Sequence, residues 1–381
     1  MKTAIITWFE NLNYGTALQA YALQKYLSDN FNTNVSLIKY FPDSSQILKN
    51  SETVKEHFAY RLISKIKRIF FDSVKKYNDT VQNDCKREIR IKKDKFNDFL
   101  SQIEFTQPVK TDNDLEQIKE DFDLFICGSD QIWNPQILDK NYYLTFAKKK
   151  PKLAYAASFG INYLPEYSKK YIKDYLSDFR AVGLRENTVN GELSEICDKD
   201  IQVVCDPVFL LPIDSWNNFS KISTINEKSF TATYFLGDSK LHKKALNIFN
   251  NMFNEKNIII PQTYYTVKKS EKENNSFGPC DFLYLIKNAD YILTDSFHAI
   301  CFSIIFKKNF CVLYKHKKNN PFNQNNRINA LLERLNLKDR IAENDKQVKN
   351  IIKTNIDYTG IEIELNEFIN ESKEFLNKYV Y

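Results

Sequence analysis

The chain is poor in the residues that mark non-globular classes. Its 381 residues include only 8 glycines and 10 prolines, too few for a collagen-like, low-complexity or disordered polymer. Seven cysteines stand at 85, 127, 197, 205, 280, 301 and 311. None forms a CxxC pair, and an odd, scattered set in apolar runs reads as reduced, buried thiols. No zinc-ligand spacing appears, so no metal is expected. No apolar run approaches the 18 residues of a membrane span. The opening MKTAIITWF is too short in its apolar part for a signal peptide and reads as a first strand. These features together predict a cytoplasmic protein. No GxGxxG follows that strand, so a dinucleotide site has no support.

What is present is core material. Hydrophobic residues make up 43%, with 22 Tyr and 29 Phe, and the length suits two domains of ordinary size. The net charge of +6 is concentrated in residues 61–95, where twelve Lys or Arg stand against five Asp or Glu. Phe58, Leu62, Ile66, Ile69 and Phe70 recur there at helical spacing. Residues 50–103 therefore read as a basic helical insertion. Its excess charge suits an ordinary solvated helix face or peripheral contact with an anionic membrane at the inner leaflet.

Strand and helix patterns alternate along the rest of the chain. Strands are expected at 3–7, 35–40, 123–127, 152–158, 181–184 and 201–205, then at 230–236, 257–260, 291–293 and 310–314. Helices are expected at 15–27, 84–101, 166–179, 241–253, 279–288, 298–306, 330–335 and 361–381. Such alternation predicts an α/β protein of two doubly wound, Rossmann-like domains facing across a cleft. The first domain is read as residues 1–207 and the second as 208–360. The last helix is set to pack back on the first domain.

The densest chemistry lies in DYILTDSFHAICFSIIFKKNFCVLY, residues 290–314. It reads as strand, turn, short helix, strand. Asp295, Ser296 and His298 fall at the carboxyl end of the strand, where open parallel sheets bind ligands. The N–H groups of a helix start suit an anion, and His298 is titratable near neutral pH. A histidine in a first helical turn is also commonly just a solvated neighbour of the cap. The turns at Asn13-Tyr14-Gly15 and Ser129-Asp130-Gln131 follow two strands of the first half. Trp133 suits stacking on a sugar but is better explained by burial. Asp121 and Asp123 spell a DxD. They stand at the start of a strand, the wrong end for a ligand.

Six segments together carry a resemblance: NYGTALQAYALQKYL at 13–27, CGSDQIWNP at 127–135, AYAASFG at 154–160, GLRENT at 183–188, CDPVFLL at 205–211 and NADYILTDSFHAICFSIIFKKNF at 288–310. They resemble the polysaccharide pyruvyl transferase family, whose members have a GT-B-like fold. The family usually places Gly after the histidine and, in many members, Arg-Leu before it. Here Ala299 and Ser296-Phe297 stand instead.

The resemblance implies transfer of pyruvate from phosphoenolpyruvate to two hydroxyls of one sugar in a bacterial surface polysaccharide or its precursor. The product is a cyclic ketal. It implies His298 and Asp130 as acid and base, in either assignment. Arg185, Asp295, Ser296, Lys315, His316 and Arg327 would hold the donor. Asn13, Tyr14, Gly15, Ser129 and Gln131 would line the acceptor side. Phosphoenolpyruvate and a sugar acceptor, lipid-linked forms included, are the expected partners, with no cofactor and no nucleic acid. The alternatives are a nucleotide-sugar glycosyltransferase of the same architecture and a non-catalytic glycan-binding member.

Overall fold

The computed structural model describes residues 1–10, 12–42, 86–220, 227–261, 276–315 and 324–380. His316, the turn residue Asn11 and the basic stretch up to residue 85 lie outside them. The described end of that stretch is the helix Lys86–Leu100.

Short apolar runs build two fully parallel sheets. The first contains β1 (Lys2–Ile6), β2 (Asn34–Leu37), β3 (Leu124–Cys127), β4 (Lys152–Ala157), β5 (Ala181–Leu184) and β6 (Asp200–Val203), in the order β2-β1-β3-β4-β5-β6. The second contains β7 (Phe230–Tyr234), β8 (Lys256–Ile259), β9 (Tyr291–Thr294), β10 (Asn309–Leu313) and β11 (Ile341–Ala342), in the order β11-β10-β9-β7-β8. β3, β4, β5, β7 and β9 are buried at every residue. Strands covered on both faces read as continuous rather than alternating apolar runs.

Each sheet reverses its direction of growth once. In the first, β2 lies on one side of β1 and β3 on the other; in the second, β8 and β9 flank β7 in the same way. The carboxyl ends on either side of such a reversal form a crevice. Here they are the segments after β1 and β3, and after β7 and β9. The two crevices face each other, because the helix Tyr14–Asn30 packs on the helices Pro279–Asn288 and Phe297–Ile305 of the second half. One apolar core runs through both halves and includes Leu18, Leu23, Trp216, Phe282 and Phe302. Separate cores fill the outer side of each sheet.

Three departures from the sequence reading matter. The junction after residue 207 is folded, with no helix foreseen there: it holds a turn of 3-10 helix at Pro207–Phe209 and the helix Ile213–Phe219. Trp216 is fully buried there, its indole N–H donating to the Val208 carbonyl at 3.1 Å. The helix expected at 330–335 starts four residues earlier, at Asn326, which brings Arg327 into its first turn. Its polar opening looks like loop, but Asn326 is buried because its amide donates to the Ile161 carbonyl (2.7 Å) and Thr188 Oγ1 (3.0 Å) of the first half. Strand β11 and the helix Asp345–Ile352 had no counterpart in the sequence reading. The last helix, Thr359–Tyr379, lies along the first sheet: Ser372 Oγ accepts the Cys205 N–H at 2.8 Å, and Lys378 pairs with Asp200 at 3.0 Å.

Candidate active site

The crevice after β3 is made by Gly128-Ser129-Asp130-Gln131. Gly128 has φ +115°, and a Cβ there would run into the Tyr155 carbonyl, so only glycine lets β3 turn this close to β4. Asp130 also sits at positive φ, +70°, a region that Asp tolerates better than most residues. The polar side chains of the turn, Ser129, Asp130 and Gln131, are all buried. Glu186 braces the neighbouring turn, accepting from Ser158 Oγ (2.7 Å) and from the N–H groups of Phe159 (3.0 Å) and Gly160 (3.1 Å).

Arg185, at the end of β5, is the hub. Its guanidinium donates to Asp206 Oδ2 at 2.9 Å and Asp130 Oδ1 at 3.2 Å, and it lies on the face of Phe297, 4.6 Å from the ring centroid. Asp206 also accepts from Ser129 Oγ (3.2 Å) and from the Val208 N–H (3.2 Å). Asp130 also accepts from Thr16 Oγ1 (3.0 Å) and from the Gln131 N–H (2.9 Å). Burial alone would push both carboxyls up. For Asp130 the charges of Arg185, His298 and Arg327 outweigh it, and for Asp206 those of His298 and Arg185, so both are held below the usual carboxylate range.

The second sheet contributes His298, in the first turn of the helix capped by Ser296. Its Nε2 lies 3.5 Å from Asp206 Oδ2, makes no hydrogen bond, and is buried. The other side of the ring rests on Gly15. A Cβ at Gly15 would overlap the imidazole. The ring therefore fits between the halves only because residue 15 has no side chain.

Two further cations stand beside this cluster. Arg327 is largely buried, 3.9 Å from Asp130 Oδ1 and 5.6 Å from the Phe297 ring centroid. With the Gln131 amide turned so that its oxygen faces Arg327, it also donates two bonds to Gln131, at 3.2 and 3.1 Å. Burial and the adjacent Arg185 charge pull its guanidinium down to about 10. Burial, then the charge of Arg327, also lowers the Lys315 ammonium. An arriving anion relieves such a strain.

The structure thus brings together Gly15, Ser129, Asp130, Gln131, Arg185, His298, Lys315 and Arg327 of the sequence-nominated residues, and changes how several are used. Arg185 has both terminal nitrogens engaged by carboxylates. Asp130 is ion-paired and too weakly basic for a ready base. Asp295 is committed elsewhere: its oxygens accept from the N–H groups of Leu236 (2.5 Å) and Gly237 (2.6 Å) and face His242 Nε2 at 3.0 Å. Ser296 spends its hydroxyl on the Ala299 N–H at 3.5 Å. Asn13 caps the first helix through the Thr16 N–H at 3.4 Å.

Tyr14 is fully buried, stacked on Phe282 with centroids 4.9 Å apart, and its hydroxyl donates to the Pro261 carbonyl at 3.2 Å. It is an inter-sheet plug with no surface for a sugar. His298 is itself only 7% exposed, against the expectation of a solvent-lined position. Trp133 is fully buried, stacked on Tyr143 at 5.0 Å. Asp123 accepts the Lys2 N–H at 2.7 Å at the amino end of the sheet.

Sequence reading missed Asp206, Thr16 and Glu186. The available signal was position: Asp206 directly follows a strand and precedes a proline, and Glu186 follows Arg185 out of β5. Among the described residues, no group of three His, Cys, Asp or Glu side chains is arranged to hold a metal ion, and no helix is long and apolar enough to cross a membrane.

Several solved structures share this architecture. UDP-GlcNAc 2-epimerase from Neisseria meningitidis, bound to UDP-GlcNAc, is 11% identical with a TM-score of 0.55, covering 100% of this chain and 99% of that one. S. aureus MnaA, in its UDP co-structure, is 14% identical with a TM-score of 0.52 (99% and 97% covered). UDP-N-acetylglucosamine 2-epimerase from Rickettsia bellii is 14% identical with a TM-score of 0.52 (99% and 95% covered). At such identities the likeness establishes the GT-B-like fold alone. No curated protein sequence matches the chain. The polysaccharide pyruvyl transferase profile matches residues 13–316, a span from the Asn13 cap through every described element that meets at His298 except the helix carrying Arg327, and the chain belongs to that family.

Proposed function

We propose that the chain transfers pyruvate from phosphoenolpyruvate to two hydroxyls of one sugar of a bacterial surface polysaccharide or its precursor. The observation that carries this reading is the buried Nε2 of His298, facing Asp206 with no hydrogen bond made. A buried ring nitrogen that makes no hydrogen bond, close to a carboxylate that would stabilise the protonated ring, is suited to carrying a proton.

In this reading Arg327 and Lys315 take the donor's phosphate and carboxylate. Arg185 is a strut that fixes Asp206 and Asp130. Asp206 stabilises the His298 imidazolium, which gives its proton to the methylene carbon of the donor. The adjacent carbon becomes electrophilic and is attacked by a sugar hydroxyl, whose proton the now neutral imidazole accepts. The C–O bond to phosphate breaks and phosphate leaves. The second hydroxyl attacks the same carbon, passes its proton to the departing phosphate, which becomes hydrogen phosphate, and closes the ketal. The net reaction is enol phosphate plus diol to ketal plus inorganic phosphate, with no oxidant or reductant.

The test is release of inorganic phosphate from phosphoenolpyruvate with a panel of sugar acceptors. Phosphate release that tracks formation of a pyruvylated sugar is expected, and its absence with every acceptor overturns the reading. Replacing Arg327 by Ala should weaken phosphoenolpyruvate binding by about tenfold, the scale of one charge-assisted contact. Calorimetric titration measures it.

A further inference from the structure

We propose that the cavity between the β6 edge, the helix Asn326–Arg334 and the last helix is the seat of the sugar acceptor, and that it takes a neutral saccharide rather than a nucleotide or a second anion. This assignment rests on the transferase reading above. The cavity measures about 450 Å³, within the range of small-ligand sites. Its buried end is formed by Arg185, Asp206 and Phe297, and its outer wall includes Asn187, Gln202 and Glu371. The groups that close its inner end are therefore those grouped around His298. A sugar seated there presents its hydroxyls to the centre where the donor carbon must be attacked.

The chemistry of the walls selects the ligand. The aromatic rings of the wall are already engaged by cations: the Arg185 guanidinium lies over Phe297 at 4.6 Å, and that of Arg334 over Phe368 at 5.2 Å. Anions find no spare cation at the outer end, because Arg334 donates to Glu371 at 2.9 Å. Apart from apolar side chains such as Val203, Val204 and Leu331, the walls offer the amides of Asn187 and Gln202 and carboxylate oxygens. Gln202 uses one amide hydrogen on the Glu371 carbonyl, at 3.3 Å. Amide and carboxylate groups together donate to and accept from hydroxyls.

Asn13, Tyr14, Gly15, Ser129 and Gln131, to which sequence reading gave the acceptor, are poorly placed for it, since Tyr14, Gly15, Ser129 and Gln131 are buried.

The experiment uses two obstructing variants. Ala330→Trp fills the cavity from the helix wall and Gln202→Tyr from the strand wall; neither residue is among those grouped around His298. Saturation-transfer NMR is recorded with the methyl glycosides of galactose, glucose, mannose and N-acetylglucosamine and their β-linked disaccharides. Phosphoenolpyruvate binding is measured separately by calorimetry. At least one saccharide should bind the wild-type protein and bind both variants more weakly by at least about tenfold, or about 1.4 kcal/mol. Phosphoenolpyruvate affinity should stay unchanged.

Saccharide binding that survives both obstructions places the acceptor elsewhere and overturns the assignment, as does failure of every saccharide to bind at millimolar concentration. If saccharides bind and are displaced by the obstructions while phosphoenolpyruvate does not bind at all, the cavity assignment stands and the donor assignment falls.

Discussion

Among the described residues there are two buried Asp–His pairs, one at the carboxyl end of the second sheet and one between the two sheets. Asp295 faces His242 at 3.0 Å, and every group there has a partner: Asp295 holds two backbone N–H groups, and His242 Nδ1 meets Ser239 Oγ at 2.7 Å. Asp206 faces His298 at 3.5 Å, and there the ring nitrogen has no hydrogen bond although it is buried. Both pairs have the same residue types and similar burial. The difference is satisfaction. The fully bonded pair ties β7, β9 and the helix Lys240–Met252 together. The other leaves a buried ring nitrogen without a hydrogen bond, a cost that asks for an explanation.

The sharpest way to break the comparison is to remove each histidine in turn. His298→Ala should lower turnover by a factor on the order of 10² to 10⁴ with the fold intact, seen in steady-state phosphate release alongside thermal unfolding. His242→Ala should do the reverse, costing about 1–3 kcal/mol of stability through orphaned partners while the folded fraction turns over within about threefold of wild type. Chemical denaturation reads the first number. If the two variants behaved alike, hydrogen-bond satisfaction would not be what separates the pairs.

Next in size is the loss of Arg185. Arg185→Ala leaves the Asp130 and Asp206 carboxyls buried without their shared cation, which should cost about 3–5 kcal/mol. A urea midpoint shared with wild type would make it a donor contact instead of a strut. Gly15→Ala probes the seat of His298. The added Cβ overlaps the imidazole, so the ring must move, at about 1–3 kcal/mol of overpacking. Turnover should fall with little change in phosphoenolpyruvate affinity.

The smallest effect is a pH dependence. Asp130 and Asp206 are held below the ordinary carboxylate range in the folded protein. Their contribution to stability is thus complete above the unfolded value of about 3.9 and is lost as pH falls through the depressed folded values. His298→Ala removes one of the charges that depress Asp206, so its stability should fall less steeply with acid than that of wild type. Unfolding curves between neutral pH and about pH 2.5 would show it.

The sequence by itself determined the fold class and most elements. Burial on both faces makes parallel strands continuous apolar runs, and β5 and the helix Pro279–Asn288 fall where those runs predict. It also picked out His298, because a histidine after a strand and a cap sits where a parallel sheet opens. Tertiary structure alone decided which polar residues are committed and which remain available. Asp295 and Asp206 both stand among the polar residues that follow a strand. Arg185 and Arg327 both read as cations for an anionic donor. Only the pairing of β7 with β9 supplies Asp295 with two N–H donors and a histidine. Only the approach of the second sheet gives His298 a carboxylate from the first. Hydrogen-bond satisfaction depends on neighbours far along the chain, such as Thr16 on Asp130 and His242 on Asp295, and local pattern carries no record of them.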